Sequence, residues 1–355
     1  MAVRYIGSKA RLVSAIARFI GKPRAGDGVF VEPFCGTGVI AEEAARLGWS
    51  VRLNDHLHSA VIMSEARITS ASDARFLRLG GYERAIAQLN ELAGRRGFVW
   101  REYSPASRRE VGIARMYFTE ENAAKIDAMR ARIGRWTRDN MINRKEQSVL
   151  LADLLGATNR AANIAGTYGC FLSHWTTQAL EPLRLVPREF FSRRVNREVL
   201  VGNAGDVPVA PEDLVYLDPP YTKRQYAAYY HILETIAVGD APQVEGITGL
   251  RPWREKASDF CYRTRALRAL RDLVHRLPAR RILLSYSSEG HVPLAPLCEE
   301  LSSVGTVVVH RLMDVGRYRP NRAASDAGAA VSEFLLCIER RASSTSPGTR
   351  RAALA

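Results

Sequence analysis

Short runs of continuously apolar residues recur along this chain of 355 residues, and they constrain its fold more than any other feature. A strand with one face in water alternates apolar and polar residues, whereas a strand covered on both faces is apolar throughout. The runs therefore predict an α/β fold, with a sheet buried between layers of helices. The predicted strands are 29–33, 50–55, 197–202, 213–218, 280–287, 306–313 and 332–339.

Helical spacing fills several of the intervals between these runs. The segments 38–48 and 259–277 carry apolar residues three and four positions apart, and so does the N-terminal stretch around Ile16. Arg11 and Arg18 interrupt that stretch, which predicts an amphipathic helix rather than a signal peptide. No apolar run is long enough to span a bilayer, so we expect a cytoplasmic protein without a membrane partner.

One interval is far longer than a crossover between parallel strands requires. About 140 residues separate the run that ends at Asp55 from the run at 197, and they are rich in arginine and aromatic residues. We therefore predict a catalytic domain formed by residues 1–55 and 197–340, with a mainly helical domain, 56–196, inserted between its two parts. The small, polar and basic tail, 341–355, is predicted to be disordered.

The charge and the cysteine content indicate which partners and which kinds of site the chain can have. The formal net charge of +14 favours a polyanionic partner such as nucleic acid, although an arginine-rich proteome would give the same excess. The five cysteines are widely spread and form no C-x-x-C pair. That spacing argues against a disulfide framework and against a zinc site, so no metal is expected.

A glycine turn follows the first predicted strand, in the sequence VFVEPFCGTGVIAEEA. The turn at Gly36 and Gly38 is a weak signal alone, since many α/β proteins use such a turn only to change direction. Three acids strengthen it, because Glu32, Asp55 and Asp206 fall at or just after the ends of predicted strands. Open α/β sheets bind their ligands at this edge.

The acids indicate which ligand the glycine turn suits. No Gly-Lys-Ser/Thr follows the glycines, which excludes a phosphate-binding P-loop. Asp55 lies 17 residues after Gly38, close to the position of a ribose-binding acid. An acidic edge suits a ligand with a ribose and a positive centre, and S-adenosylmethionine has both.

The motifs, in their order along the chain, resemble those of the Dam-like (alpha-group) adenine DNA methyltransferases. They are RYIGSK (4–9), FVEPFCGTG (30–38), ND (54–55), DPPY (218–221), RQYAAYYHILE (224–234), LLSYSS (283–288), RYRPNRA (317–323) and EFLL (333–336). The resemblance covers about 210 residues. Segment 56–196 has no match of this kind, but that family keeps its target-recognition domain there. The resemblance implies a Rossmann-like, S-adenosylmethionine-dependent methyltransferase sheet that acts on double-stranded DNA.

The resemblance implies a chemical role for the DPPY motif. The exocyclic amine of adenine is a weak nucleophile because its lone pair is delocalised into the ring. If Asp218 and the Pro219 carbonyl accept its two hydrogens, that lone pair becomes available for direct attack on the methyl group. Pro219 and Pro220 stiffen the backbone that holds the carbonyl, and Tyr221 would stack on the flipped base. The alternative is an Asp-Pro-Pro turn with a packing tyrosine.

Other roles follow from the resemblance alone. The expected contacts on the methionine side of the cofactor are Tyr5, Lys9, Glu32, Phe34, Gly36 and Gly38, and Asp218 is expected to contact the cofactor as well. Asp55 would bind the ribose hydroxyls and Asp206 the adenine amine. The chain has Glu-Pro-Phe-Cys where Asp-Leu-Phe-Ala is frequent in the family, so the Glu32 contact departs most from the pattern. Lys223, Arg224, Gln225 and Tyr229 suit DNA phosphates and the gap left by the base, although tyrosines at this spacing equally suit a core.

Three alternatives remain open at this point. Adenine in RNA is methylated at related DPPY sites, and a glutamine in a protein is modified at Asn-Pro-Pro-Tyr sites. A catalytically silent DNA-binding subunit would also keep the fold. Because the chain shows no nuclease motif, any DNA cleavage would need a separate restriction endonuclease. The DNA sequence that is recognised depends on groove contacts, which cannot be read from the amino-acid sequence. The amino-acid sequence does not indicate the oligomeric state either.

Overall fold

The computed structural model describes residues 6–315 and 331–340. Its strands are β1 (Phe30–Glu32), β2 (Val51–Asp55), β3 (Arg197–Val201), β4 (Leu214–Leu217), β5 (Arg281–Ser287), β6 (Gly305–Val315) and β7 (Val331–Arg340). Tyr5, the RYRPNRA motif at 317–323 and the predicted tail at 341–355 lie outside the described residues.

The helices alternate with these strands and fill the long interval between β2 and β3. They are α1 (Val13–Ile20), α2 (Val39–Leu47), α3 (His58–Arg67), α4 (Tyr82–Glu91), α5 (Phe98–Tyr103), α6 (Arg108–Val111), α7 (Glu120–Arg138), α8 (Arg144–Ala161), α9 (Thr177–Leu180), α10 (Tyr226–Tyr229), α11 (His231–Val238), α12 (Ala266–Arg276) and α13 (Leu294–Leu301). None of the helices in the described ranges is both long and apolar enough to cross a membrane.

The strands form one seven-stranded sheet in the order β3-β2-β1-β4-β5-β7-β6. The first five strands in sequence are parallel to one another, and β7 runs antiparallel between β5 and β6. Each of the seven predicted runs forms a strand, with ends shifted by no more than two residues. The predicted Rossmann-like α/β sheet is therefore confirmed.

The apolar runs are continuous because the sheet is buried on both sides. Phe30 and Tyr216 pack on one face with α1 and α2, whereas their neighbours Val31 and Val215 pack on the other face with α12 and α13. Successive residues of a strand point to opposite faces, so both sets must be apolar. The burial of β1 and β4 is complete along their described lengths.

The order of the strands fixes where a ligand can bind. β1 lies between β2 and β4, so the chain proceeds outwards on one side of β1 and then restarts on the other side at β4. The loops that leave the carboxyl ends of β1 and β4 diverge, which opens a crevice at the edge of the sheet. Glu32 ends β1 and Asp218 immediately follows β4, so both acids belong to this crevice.

The interval between β2 and β3 is helical and has its own apolar core. Tyr82, Ile126 and Leu154 belong to this core, and Leu233 of α11 joins it from the segment that follows DPPY. Helix α3 contacts β2 and β3 as well as α8, so it lies between the sheet and the other helices of the interval. The boundaries drawn at residues 55 and 197 stay a prediction.

One helix begins later than its periodicity predicts. The segment 259–277 is helical only from Ala266, and a short 3₁₀ turn, Asp259–Cys261, precedes it. In that turn Phe260 packs edge-on against Phe34, with ring centroids 5.5 Å apart. We attribute the later start to this tertiary contact, which outweighs helical propensity at the beginning of the segment.

Glu234 of α11 caps the first turn of α3, whose own cap residue, Leu57, supplies no side-chain hydrogen bond. Its carboxylate accepts the backbone N–H groups of His58 and Ser59, at 3.1 and 3.0 Å, and the Lys256 ammonium lies 2.9 Å away. Burial opposes the charge, but hydrogen bonds from His58 and Ser59 and the charge of Lys256 outweigh it and lower the pKa of Glu234 to about 2.

Glu234→Ala is therefore expected to lower the free energy of unfolding at pH 7 by roughly 3 kcal/mol, because it leaves buried donors and a charge without their acceptor. The folded-state pKa lies below the unfolded value, so this stabilisation is complete above about pH 4.5 and is lost as the pH falls towards 2. Urea denaturation from pH 7 to pH 3 measures it. Glu299→Ala, at an exposed position of α13, is the control, and coincident curves for the two variants would contradict the prediction.

Candidate active site

A cavity of about 370 Å³ opens at the carboxyl edge of the parallel strands, within the size range of small-molecule sites. Loops after four strands surround it, together with the N-terminal segment and the turn before α12. Its lining includes Lys9, Glu32, Phe34, Gly36, Asp55, Asn203, Gly205, Asp218, Pro220, Gln225 and Phe260. Most of the predicted cofactor residues in the described ranges are thus brought together at one site.

The two glycines of the turn after β1 have different environments. Both have positive φ, 49° at Gly36 and 74° at Gly38, a region that L-residues with a side chain rarely adopt. Gly36 lines the cavity, whereas Gly38 lies against α3, where an added Cβ would be 2.7 Å from the Ser64 Cα. Gly36 therefore allows a ligand to approach the backbone, and Gly38 allows the turn to pack on α3.

Asp55 holds the glycine turn from the end of β2. Its Oδ2 accepts the Gly36 N–H at 3.0 Å, and its Oδ1 accepts the Leu57 N–H at 3.1 Å. Burial outweighs these hydrogen bonds and raises the pKa of Asp55 to about 6. Its carboxylate thus both shapes the turn and presents acceptor oxygens at the cavity.

Glu32 contributes a second acid at the end of β1. Its side chain is 3% exposed, and its Oε2 accepts the Ala41 N–H in the first turn of α2 at 3.0 Å. Burial and the nearby Asp218 carboxylate raise the pKa of Glu32 well above its ordinary value. Burial makes the charged form of these carboxylates unfavourable. A ligand with hydrogen-bond donors or positive charge would therefore stabilise that charged form.

The DPPY segment meets the N-terminal segment at Lys9, a side chain with only 4% exposure. Its Nζ lies 3.3 Å from Asp218 Oδ1 and donates to the Tyr221 hydroxyl at 3.1 Å and to Glu333 Oε2 at 3.0 Å. Burial opposes the ammonium charge, but Asp218, Tyr221 and Glu333 outweigh it and raise the pKa of Lys9 well above its ordinary value. Lys9 is therefore a buried cation shared between two acids.

Asp218 and the residue that follows it offer two acceptors. Burial is the main reason that the pKa of Asp218 is raised to about 6, and Lys9 opposes that shift. The Pro219 carbonyl accepts no hydrogen bond from any residue that the structure describes. A group with two donor hydrogens could be bound between these oxygens.

The ring of Tyr221 is held beside this pair of acceptors. Its centroid lies 5.5 Å from that of Tyr286, at an interplanar angle of 59°, and 5.0 Å from the Lys9 ammonium. The Tyr221 carbonyl accepts the His291 N–H at 2.9 Å, which fixes the backbone of the segment. The ring is consequently supported by side chains from two other parts of the chain.

Two tyrosines of the following segment bind the N-terminal segment. The Tyr226 hydroxyl donates to the Ile6 carbonyl at 3.0 Å, and the Ile6 N–H donates to the Tyr230 hydroxyl at 2.6 Å. At Gly7 an added Cβ would lie 2.6 Å from the Tyr226 hydroxyl oxygen. These contacts give Tyr226 and Tyr230 a structural role in placing the segment that carries Lys9.

The predicted DNA-binding residues divide into two groups. Lys223 and Arg224 are exposed immediately after DPPY, as residues that contact a polyanion must be. Gln225 is engaged within the protein, because its amide exchanges two hydrogen bonds, of 3.1 and 2.8 Å, with the Ser258 backbone. Tyr229 is half-buried against Gly169.

Asp206 is a predicted cofactor-binding residue that does not line the cavity. Its side chain is 75% exposed, and its Oδ1 lies 3.8 Å from Arg276 Nη1. Asn203 and Gly205, from the same turn after β3, line the cavity instead. The position of a polar residue within this turn could not be read from the end of a predicted strand.

Sequence reasoning also missed Phe260 and Glu333. Phe260 lies in a segment whose periodicity suggested a helix, and Glu333 lies near the start of β7. Since β7 is antiparallel to β5, its amino end reaches the edge where the parallel strands end, and Glu333 pairs with Ser287 there. The acid at the beginning of the last predicted strand was the available signal.

In the described ranges, no three His, Cys, Asp or Glu side chains are grouped so as to hold a metal ion.

Comparison with known proteins adds an independent result. A family model described as D12 class N6 adenine-specific DNA methyltransferase matches residues 5–290. Type II methyltransferase M.FokI from Planomicrobium okeanokoites is 32% identical over 345 residues, which are 95% of this chain and 53% of that protein. Modification methylase StsI from Streptococcus sanguinis is 30% identical over 349 residues, 96% of this chain and 52% of that protein.

A shorter relative is matched over most of its length. Type II methyltransferase M.NlaIII from Neisseria lactamica is 31% identical over 307 residues, 85% of this chain and 89% of that protein. The chain thus spans about half the length of M.FokI and StsI but nearly all of M.NlaIII. DPPY, the glycine turn and the acids of β1 and β2 all fall within the residues that the family model matches.

Proposed function

The chain belongs to the D12 class of N6 adenine-specific DNA methyltransferases, and from this premise we propose that it methylates the exocyclic amine of adenine at a specific site in duplex DNA. The observation that best supports the proposal is the pair of acceptors at Asp218 and Pro219, next to an acid-lined cavity. An amine with two hydrogens matches this pair.

S-adenosylmethionine is the methyl donor that we propose for the cavity. When bound, it supplies a methyl carbon on a sulfonium that an amine can attack directly. Glu32 and Asp55 fit its positive groups and its ribose hydroxyls, and Gly36 permits close approach. Lys9 and Phe34 would border the amino acid end. The roles of Tyr5 and Asp206 stay predictions, and Asn203 is the polar side chain that the structure offers on the side of Asp206.

Asp218 and Pro219 are proposed to activate the target amine. Each oxygen accepts one amine hydrogen, which turns the nitrogen lone pair out of conjugation with the ring. Asp218 must be ionised to accept well, and its raised pKa makes it a stronger acceptor than an ordinary aspartate. Positioning and placement of charge are the means by which such a site accelerates the reaction, without a covalent intermediate on the protein.

DNA binding is proposed to involve the segment after DPPY and residues 56–196. Lys223 and Arg224 are exposed there, and the chain carries a net charge of +14, so phosphate contacts are favoured. Flipping an adenine from the duplex costs a few kcal/mol, and stacking on an aromatic ring such as Tyr221 returns about 1–3 kcal/mol. Tyr229 and Gln225 would act near the gap left by the base.

The names of the relatives suggest the setting of this activity. One relative is named a modification methylase and two are named Type II methyltransferases, terms used for the methylating member of a restriction-modification pair. We therefore include a separate restriction endonuclease as a proposed partner, with both proteins acting on cytoplasmic DNA.

A methylation assay tests the proposed function. The purified chain is incubated with labelled S-adenosylmethionine and mixed-sequence duplex DNA, and the products are examined by nucleoside analysis and single-molecule sequencing. We expect label in N6-methyladenine at one recurring sequence. Label in RNA alone would replace the proposal with RNA methylation. Cofactor binding without transfer to DNA or RNA would indicate a silent subunit.

A further inference from the structure

Glu333 reaches the DPPY segment from a strand that the family model does not cover, since the match ends at residue 290. It lies near the start of β7, opposite Ser287 at the end of β5. Its side chain is 12% exposed, and its Oε2 accepts from the Lys9 ammonium at 3.0 Å. An acid from the antiparallel part of the sheet and Asp218 therefore contact the same ammonium group, that of Lys9.

The hydrogen bonds of Lys9 show how this acid acts. An ammonium has three donors. Two of them are directed at the Tyr221 hydroxyl and the Glu333 carboxylate, at 3.1 and 3.0 Å, and the third reaches Asp218 at the longer distance of 3.3 Å. Without Glu333, Asp218 would be the one carboxylate in contact with Lys9 among the residues that the structure describes. The ammonium would then occupy an oxygen that the target amine requires.

Several other groups face Asp218 and Lys9 and set the electrostatic background. They are Glu32 from the end of β1, Tyr216 from β4, Tyr221 from the turn after it and Tyr226 from α10. Lys9 is the cation that touches Asp218 among the described residues, and Glu333 is the other carboxylate that touches Lys9. The balance between Asp218 and Lys9 therefore depends directly on Glu333.

We propose that Glu333 is a positioning residue that draws the Lys9 ammonium away from Asp218, so that the Asp218 oxygens stay available to the target amine. Lys9 keeps Asp218 ionised by its proximity, and Glu333 limits how strongly the two pair. This role rests on the proposed function, because it concerns acceptance of the amine hydrogens by Asp218. It adds a residue of β7 to a site otherwise formed by the loops after the parallel strands, the N-terminal segment and the turn before α12.

The pH dependence of methyl transfer tests this role. The single-turnover rate is measured from pH 5 to pH 9 with the full chain, saturating S-adenosylmethionine and duplex DNA. For the unaltered protein we expect the rate to fall as the pH is lowered through about 6, where Asp218 becomes protonated. Since Glu333 raises the pKa of Asp218, Glu333→Gln should move this fall about one pH unit lower and reduce the plateau rate about tenfold.

Matched variants separate this role from a loss of folding. Glu339→Gln removes an exposed acid from the same strand and should keep the normal pH profile. Glu333→Asp keeps the charge but withdraws it by one methylene, and it should give a smaller shift in the same direction. Thermal melting and calorimetric cofactor binding identify any variant that does not fold, in which case Glu333→Asp decides the result.

The outcomes distinguish the two proposals. A Glu333→Gln profile that coincides with those of the unaltered protein and Glu339→Gln overturns the role of Glu333, and so does a shift to higher pH. An unaltered protein that methylates neither DNA nor RNA overturns the proposed function instead. A lower plateau with an unshifted profile would show a structural contribution only, and it too would overturn the positioning role.

Discussion

Asp218→Ala is expected to lower the single-turnover rate of methyl transfer by about 10²–10³-fold or more, while the affinity for S-adenosylmethionine changes only a few-fold. The variant removes one of the two acceptors that we assign to the target amine. Lys9 keeps its hydrogen bonds to Tyr221 and Glu333, so the buried ammonium does not lose all of its partners. The change should therefore affect the reaction far more than the fold.

Two measurements together test this expectation. Rapid-quench assays give the rate on duplex DNA, and calorimetry gives the cofactor affinity of the same preparation. Asp218→Asn is the matched variant, because it keeps the shape and one acceptor oxygen but loses the charge. We expect its rate to lie between those of Asp218→Ala and the unaltered protein. Normal turnover by Asp218→Ala would refute the role assigned to Asp218.

Asp55→Ala is expected to affect cofactor binding more than the transfer step, and to weaken cofactor binding by about 10–100-fold. Two losses combine in this variant. The ribose loses its proposed acceptor, and the Gly36 and Leu57 N–H groups lose the carboxylate that holds the glycine turn. Each lost hydrogen bond to a charged group costs roughly 1.5–3 kcal/mol, and tenfold in affinity corresponds to about 1.4 kcal/mol.

Calorimetric titration of S-adenosylmethionine measures the effect on Asp55→Ala. Asp139→Ala, an exposed acid after α7, serves as the control for a general loss of negative charge. At saturating cofactor, the transfer rate of Asp55→Ala should recover more than that of Asp218→Ala. Cofactor affinity equal to that of Asp139→Ala would remove Asp55 from the binding site.

The predictable part of the fold followed from burial. Phe30 and Val31 face opposite layers, so the strands of this sheet have to be continuously apolar, and these runs located every strand in the part of the chain that the structure describes. The acids at the ends of β1, β2 and β4 followed from the rule that parallel strands end at one edge. Glu32 and Asp55 were predicted from this rule, and Asp218 from the DPPY motif, and all three line the cavity.

The parts that escaped prediction depend on contacts between distant segments. Phe260 leaves the helical pattern because Phe34, from the turn after β1, packs against it. Glu333 reaches the site only because β7 runs antiparallel, a direction that an apolar run does not encode. Asp206 and Asn203 share one short turn, and the path of its backbone decides which side chain borders the cavity.

The anchoring of the cavity walls has a kinetic consequence. Tyr226 and Tyr230 hold the segment of Ile6, while Gln225 holds the turn at Ser258, so residues just after DPPY secure two separate parts of the cavity lining. A duplex bound at Lys223 and Arg224 would stiffen the same short stretch of chain. Exchange of spent for fresh cofactor should then be slowest while DNA is bound. The enzyme would therefore leave its DNA after each methylation rather than move along it to the next site.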